Sequence, residues 1–88
     1  MQNKHKDIYK TTSISLATVI QLTGKGSLKD IQPVDFYKYE FIFSTENFTD
    51  LQKTVSLFWQ KSLSVDAFTY FETLRYLKSR LHEEKKNG

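Results

Sequence analysis

Tyr37-Lys38-Tyr39-Glu40-Phe41-Ile42-Phe43 is the stretch that decides the fold of this 88-residue chain. In an extended segment successive side chains point to opposite faces, so Tyr37, Tyr39, Phe41 and Phe43 share one side. Alternation of period two, rich in aromatics, marks a strand with one buried face. Apolar patterns of helical period lie on either side of it. The chain therefore reads as a small sheet with helices packed on it.

Toward the N-terminus, Leu28 to Pro33 reads as the preceding strand. Pro33 cannot donate to a ladder and belongs at the strand end. A turn at Pro33-Val34-Asp35-Phe36 joins it to the aromatic strand, which runs from about Tyr37 to Ser44, as an antiparallel hairpin. Before the hairpin, Ser13 to Leu22 reads as a helix capped by Thr12 or Ser13. Leu16, Ala17, Val19 and Ile20 fall on one side of it, with Ser15, Thr18 and Gln21 roughly opposite. Gly24 is placed to close this helix in a left-handed conformation, with Gly26 allowing a second bend. Asp7 to Thr11 reads as an edge strand, and residues 1–6 as a loose arm.

Toward the C-terminus, Thr49-Asp50-Leu51-Gln52 reads as a capping box that opens a second helix. Phe48, Leu51, Val55, Phe58 and Trp59 follow at helical spacing. A third helix runs from about Ser64-Val65-Asp66 to Glu84. Its stripe is Ala67, Tyr70, Phe71, Leu74, Leu77 and Leu81. Asp66 falls in its first turn, where a carboxylate meets the helix dipole favourably. The short link through Leu63 implies a helical hairpin. Strand alternation and both helical stripes need a common interior, so Phe41, Phe43, Phe58, Phe71 and Leu74 are expected to form one core. The expected fold is α+β: a small antiparallel sheet, hairpin plus N-terminal edge strand, covered by three helices in the order β-α-β-β-α-α. It is one domain over residues 1–88, with 1–6 and 85–88 as loose ends.

Thr11-Thr12-Ser13 before Leu16-Ala17, then Gly24, Phe41-Ile42-Phe43, Phe58-Trp59, Val65-Asp66 and Leu77-Lys78-Ser79 occur in that order. In this pattern, over about residues 9–81, the chain resembles a group of short prokaryotic and phage proteins catalogued as a domain of unknown function. The resemblance implies a small stand-alone α+β domain. It carries over no catalytic residue.

Composition narrows the function classes. There is no cysteine, which excludes a disulfide framework and a thiolate zinc site. No apolar run approaches the ~18–20 residues of a membrane span. Met1 to Asp7 is polar and lacks the apolar region of a signal peptide. The chain reads as soluble and cytoplasmic, with no membrane partner. The formal charge is +3, and its distribution is uneven. Lys4, Lys6 and Lys10 face only Asp7 near the start. Five bases face Glu83 and Glu84 after residue 72. Residues 40–72 carry five acids against Lys53 and Lys61. Basic ends favour contact with polyanions.

The search for chemistry returns structural explanations. His5 and His82 have no ligand partner at metal spacing; Lys78 and Lys86 occupy the positions four residues either side of His82. Gly24-Lys25-Gly26-Ser27 has the look of a phosphate loop, but a strand follows where such a loop needs a helix. Glu40, Asp66 and Glu72 sit on solvent faces or at a helix start. No serine has a nucleophile-elbow context. The chain reads as a non-enzyme, with no cofactor, metal or small-molecule substrate.

Surfaces give two functional expectations. Phe68, Arg75, Ser79 and His82 group on one side of the third helix, Tyr76 and Arg80 on the other flank. Leu57 points away from the second helix's stripe, near Trp59. Aromatics beside Arg suit a protein interface. The leading expectation is a non-enzymatic interaction module, a self-associating accessory or regulatory protein, with Leu57, Trp59, Phe68 and Tyr76 as contacts. The alternative is a nucleic-acid-binding accessory protein that uses the basic termini and the third helix. Its polyanion contacts are Lys4, Lys6, Lys10, Arg75, Arg80, Lys85 and Lys86, giving weak, non-specific binding, and Tyr37 and Tyr39 are the rings that could stack on bases. Salt separates the two, because neutralised phosphates make affinity fall steeply with ionic strength.

Overall fold

The computed structural model describes residues 6–87, so Lys4 and His5 lie outside the described residues. In chain order it contains β1 (Asp7–Thr11), α1 (Ile14–Thr23), β2 (Ser27–Pro33), β3 (Tyr39–Thr45), α2 (Phe48–Trp59) and α3 (Ala67–Asn87). The class is α+β and the order is the one expected. The strands form one antiparallel sheet of order β1-β3-β2. The aromatic strand is thus central. Tyr9 and Leu28 flank Phe43; Thr11 and Ile31 flank Phe41. All three helices contribute to one core on this side, around Phe41, Phe43 and Ile31. The other face of the sheet carries Ile8, Lys10, Asp30 and Glu40.

β3 starts two residues later than the alternation suggests. Val34 and Asp35 both donate their backbone N–H to the Lys38 carbonyl. This closes a wide loop over residues 34–38 and carries Tyr37 out of the sheet, where it is 95% exposed. The alternation that continues through Tyr37 is therefore a loop coincidence.

α1 is the centre of the helical layer. Ser13 accepts the Leu16 N–H at 3.1 Å and caps it. Gly24 closes it at φ +72°, with the Gly24 and Lys25 N–H groups donating to the Gln21 and Ile20 carbonyls. Leu16, Ala17, Thr18, Val19 and Ile20 are all buried. Thr18 is not on a polar side as expected, because α1 is packed on by the sheet and by both other helices. Its hydroxyl donates to the Ile14 carbonyl at 2.7 Å, so burial leaves no donor unmet. Gly26 stands in a tightly packed place. A Cβ there would lie 3.2 Å from Ile20 Cγ2 and 3.3 Å from both Leu51 Cδ1 and Phe43 Cβ.

The two later helices start differently from the sequence expectation. The Thr49–Gln52 capping box does not form. Asn47 caps α2, its Oδ1 accepting the Asp50 N–H at 2.9 Å, because the chain already turns after Thr45. α2 ends with the Lys61 N–H donating to the Phe58 carbonyl and the Ser62 N–H to the Leu57 carbonyl, which holds Lys61 at φ +60°. Asp66 is the cap of α3 and not a first-turn residue. Its carboxylate accepts both the N–H and the hydroxyl of Thr69 at 2.9 Å. At the other end the helix continues through Lys85 and Lys86 to Asn87, where loose ends were expected.

α2 and α3 do not form a helical hairpin. Each packs on α1. Gln21 and Leu22 face Thr69, Thr73 and Tyr76 across a shallow groove, and Ile14 lies near Leu81, so α3 runs antiparallel to α1. The inward face of α3 is centred on Leu77, which is fully buried, with Tyr70, Thr73, Leu74 and Leu81 partly covered. Phe71 is not in the core: it is 66% exposed. Phe58 is only partly buried, packed against the core from its edge. Phe71 lies within the stretch of α3 that α1 accompanies, between Thr69 and Leu81, but about 120° around the helix from Leu77, so it faces away from α1.

Candidate functional site

The rotation of α3 that places Leu77 inside turns Phe68, Phe71, Arg75, Lys78, His82 and Lys85 outward. Their spacing of three and four residues makes them neighbours along one helix face. By helical geometry Glu72 and Glu83 fall on the opposite flank, with Tyr76 and Arg80. The outward face carries rings at its N-terminal half and cations at its C-terminal half, with no carboxylate between them.

The fold then brings a distant segment to this face. Tyr37, Lys38 and Tyr39 share a depression of about 320 Å³ with Lys78, Leu81 and Lys85. The Lys85 ammonium lies 5.9 Å from the centre of the Tyr39 ring, within the range of a cation–π contact. A second depression of about 250 Å³ is lined by Phe71, Leu74, Arg75 and Lys78. Lys78 borders both, so the loop at residues 34–38 and the outer face of α3 form one continuous surface. It holds Tyr37, Tyr39 and Phe71 among Lys38, Arg75, Lys78 and Lys85.

Ion pairs are few among the described residues, and Lys10, Lys29, Lys53, Lys61 and Arg80 have no carboxylate within ion-pair distance. Lys25 sits 2.8 Å from Asp50, and Lys6 sits 4.0 Å from Glu46. Among the described residues, Lys38, Arg75, Lys78, Lys85 and Lys86 are not within ion-pair distance of any carboxylate. Neighbouring cations on one helix face repel one another by a few tenths of a kcal/mol per pair. That cost is relieved when an anion lies across them.

The expected polyanion contacts are thus only partly brought together. Arg75 and Lys85 share the surface, and Lys86 follows at its end. Arg80 does not belong to it. It is held on the far flank, its guanidinium donating to the Tyr76 hydroxyl at 2.9 Å and lying 5.8 Å from that ring. Lys10 is on the outer sheet face, in register with Ile42. Lys6 lies at the opposite end of the sheet, beside Glu46. Lys4 lies outside the described residues. Sequence reasoning missed Lys38, Lys78 and Phe71. The signal for Lys78 was present: it falls three residues after Arg75 and seven after Phe71, the spacing of one helix face.

The expected self-association contacts are all exposed but do not make one patch. Leu57 and Trp59 are on α2, where the Trp59 ring meets Phe58 edge-on at 4.9 Å. Phe68 is on the outer side of α3. Tyr76 borders the α1–α3 groove on the other flank.

A polar cleft of about 320 Å³ lies where Thr23–Ser27 meets the start of α2. Its residues already have structural partners. Thr45 donates its hydroxyl to the Lys25 carbonyl at 2.8 Å, Lys25 binds Asp50, and Asn47 takes the Asp50 N–H. The two glycines are explained by a helix end and by core packing. The phosphate-loop likeness has no need of a phosphate. Among the described residues, two side chains titrate away from their ordinary values. Burial pushes the Tyr9 hydroxyl up, and the hydrogen bonds from Thr69 pull the Asp66 carboxyl down. No helix among the described residues is long and apolar enough to cross a membrane.

No protein-family model, curated protein or solved structure matches the chain.

Proposed function

We propose that the protein is a non-enzymatic accessory protein that binds nucleic acid on the outer face of α3 and the adjoining 34–38 loop. The observation that carries this reading is the set of cations Lys38, Arg75, Lys78 and Lys85, gathered on one surface with no carboxylate within ion-pair distance. Phosphate oxygens are the partner such a set fits. The absence of cysteine suits a reducing compartment, so a cytoplasmic location is part of the proposal.

The test is a local charge reversal. Arg75→Glu with Lys78→Glu is expected to abolish binding of labelled oligonucleotides at low salt. Lys10→Glu with Lys53→Glu makes the same change in net charge on other surfaces and is expected to leave most of the binding intact. Equal losses in both pairs would reduce the effect to overall charge and refute a defined surface.

Self-association is the second reading. It is favoured by Phe68 and Trp59, which expose 70% and 61% of their surface and offer apolar area that a second copy would cover. A solution mass at high micromolar concentration separates it: a dimer that Trp59→Ser dissociates supports it, and a monomer removes it.

A further inference from the structure

We infer that the surface takes single-stranded nucleic acid by stacking bases on Tyr37 and Phe71, on either side of Lys78; the inference rests on the nucleic-acid reading above. Two rings of the 34–38 loop stand almost free in water, and Phe71 is largely exposed beside Arg75 and Lys78. Phe36 and Tyr37 are 91% and 95% exposed, and Phe71 is 66% exposed. Phe36 and Tyr37 touch, with centroids 6.2 Å apart and planes tilted by 52°, so neither ring covers the other's face as a stacked pair would. Tyr37 lines one of the two depressions that Lys78 borders, and Phe71 lines the other. Ring, cation, ring is the order along the surface.

This arrangement has a use on a single strand that it lacks on a duplex. In a duplex the flat faces of the bases are occupied by their neighbours, and a ring at the surface meets only phosphate and sugar. In a single strand the bases splay out, and each offers a face on which an aromatic side chain can stack while lysines and arginines follow the backbone. From Phe71 to Lys85 the helix face extends for about 21 Å, enough to follow several phosphates. Besides the tyrosine hydroxyls, the polar side chains of this surface are cations, His82, Ser79 and Thr12, without the Asn or Gln that reads adenine edges. Binding is therefore tolerant of sequence. The ribose 2′-hydroxyl has no dedicated partner, so the shared chemistry is a single-stranded phosphodiester with unstacked bases.

The experiment measures fluorescence anisotropy with the full chain and three labelled probes: oligo(dT), oligo(U) and a mixed-sequence duplex, each about 15 nucleotides or pairs long. Both single strands are expected to bind at least about tenfold more tightly than the duplex. Tyr37→Ala and Phe71→Ala are each expected to weaken single-strand binding by roughly 5- to 150-fold, the range for loss of one stacked base, while Tyr37→Phe retains it. Circular dichroism of each variant verifies that the fold is kept, as both rings are mostly in solvent. Preference for oligo(dT) or for oligo(U) alone assigns the source as DNA or RNA and supports the inference. Equal or tighter binding to the duplex, or ring variants that bind as wild type does, overturns the stacking inference and leaves the phosphate surface standing. Binding to none of the probes overturns both.

Discussion

Replacing Leu77 and Phe71 by alanine, one at a time, measures how α3 is rotated on the fold. Leu77 is fully buried and belongs to the cluster built from Leu16, Ala17, Ile20 and Phe41. Truncating a buried leucine costs about 2–5 kcal/mol, cavity included. Phe71 is 66% exposed. Of the roughly 150–250 Å² that a core phenylalanine withdraws from water, this one withdraws roughly a third, or about 50–85 Å². At about 25 cal/mol per Å² that amounts to about 1–2 kcal/mol, less the share an alanine keeps, so about 1 kcal/mol. In a domain of this size each kcal/mol moves the melting midpoint by about 4–8 °C. Leu77→Ala is expected to lower the Tm by about 8–40 °C, and Phe71→Ala by about 4–8 °C. Thermal melts followed by circular dichroism, with urea titrations to supply the free energies, read both values. A Phe71→Ala variant as unstable as Leu77→Ala would put the ring inside the fold and take it away from the proposed surface.

Other outcomes test the local geometry. Gly26→Ala pushes a methyl against Ile20, Leu51 and Phe43 at once and is expected to cost about 1–3 kcal/mol by overpacking; a urea midpoint at or above wild type would show that the three neighbours can give way. Asn47→Ala removes the α2 cap and is expected to cost about 1 kcal/mol, whereas Thr49→Ala should stay within about 0.5 kcal/mol; the reverse ranking would restore the capping box. Asp66 has its folded value lowered from 3.8 by the Thr69 hydrogen bonds. Its contribution is therefore complete above the unfolded value and is lost as pH falls through the lower folded one. Asp66→Asn keeps a cap but not the charge, so wild type is expected to lose its advantage over the variant below about pH 4; a constant gap between their melting curves from pH 7 to pH 2 would contradict this.

The strand–helix order was legible because it rests on periodicity. Phe41 and Phe43 alternate in a strand that is paired on both sides, and Gly24 ends a helix as its position suggests. Rotation and pairing of helices were not legible in the same way. The stripe from Ala67 to Leu81 is apolar over a wide arc, and hydrophobicity alone cannot say which line of that arc α1 will cover. Phe71 was assigned to the core on its chemistry, but it lies about 120° around α3 from Leu77, the line that α1 covers. The caps shifted because two residues in each region could serve: Asn47 precedes Thr49, and Asp66 is itself the cap. The candidate surface joins residues 37–39 to residues 71–85, a contact that only the tertiary fold creates. Arg75 and Lys85 were visible as basic residues. That Arg80 turns away to Tyr76, and that Lys38 joins them, depends on the α3 rotation and the 34–38 loop.

The most direct test of the central claim is the salt dependence of single-strand binding, for the wild type and for a variant carrying Arg75→Gln, Lys78→Gln and Lys85→Gln. Each phosphate contact on a single strand contributes a slope of about −0.7 to the logarithm of affinity against the logarithm of salt. With Lys38, Arg75, Lys78 and Lys85 engaged, the wild type is expected to give a slope of about −3, and the variant, left with Lys38, a slope about 2 units shallower. A wild-type slope near zero, or a slope that the three substitutions leave unchanged, would contradict the assignment of this surface to nucleic acid.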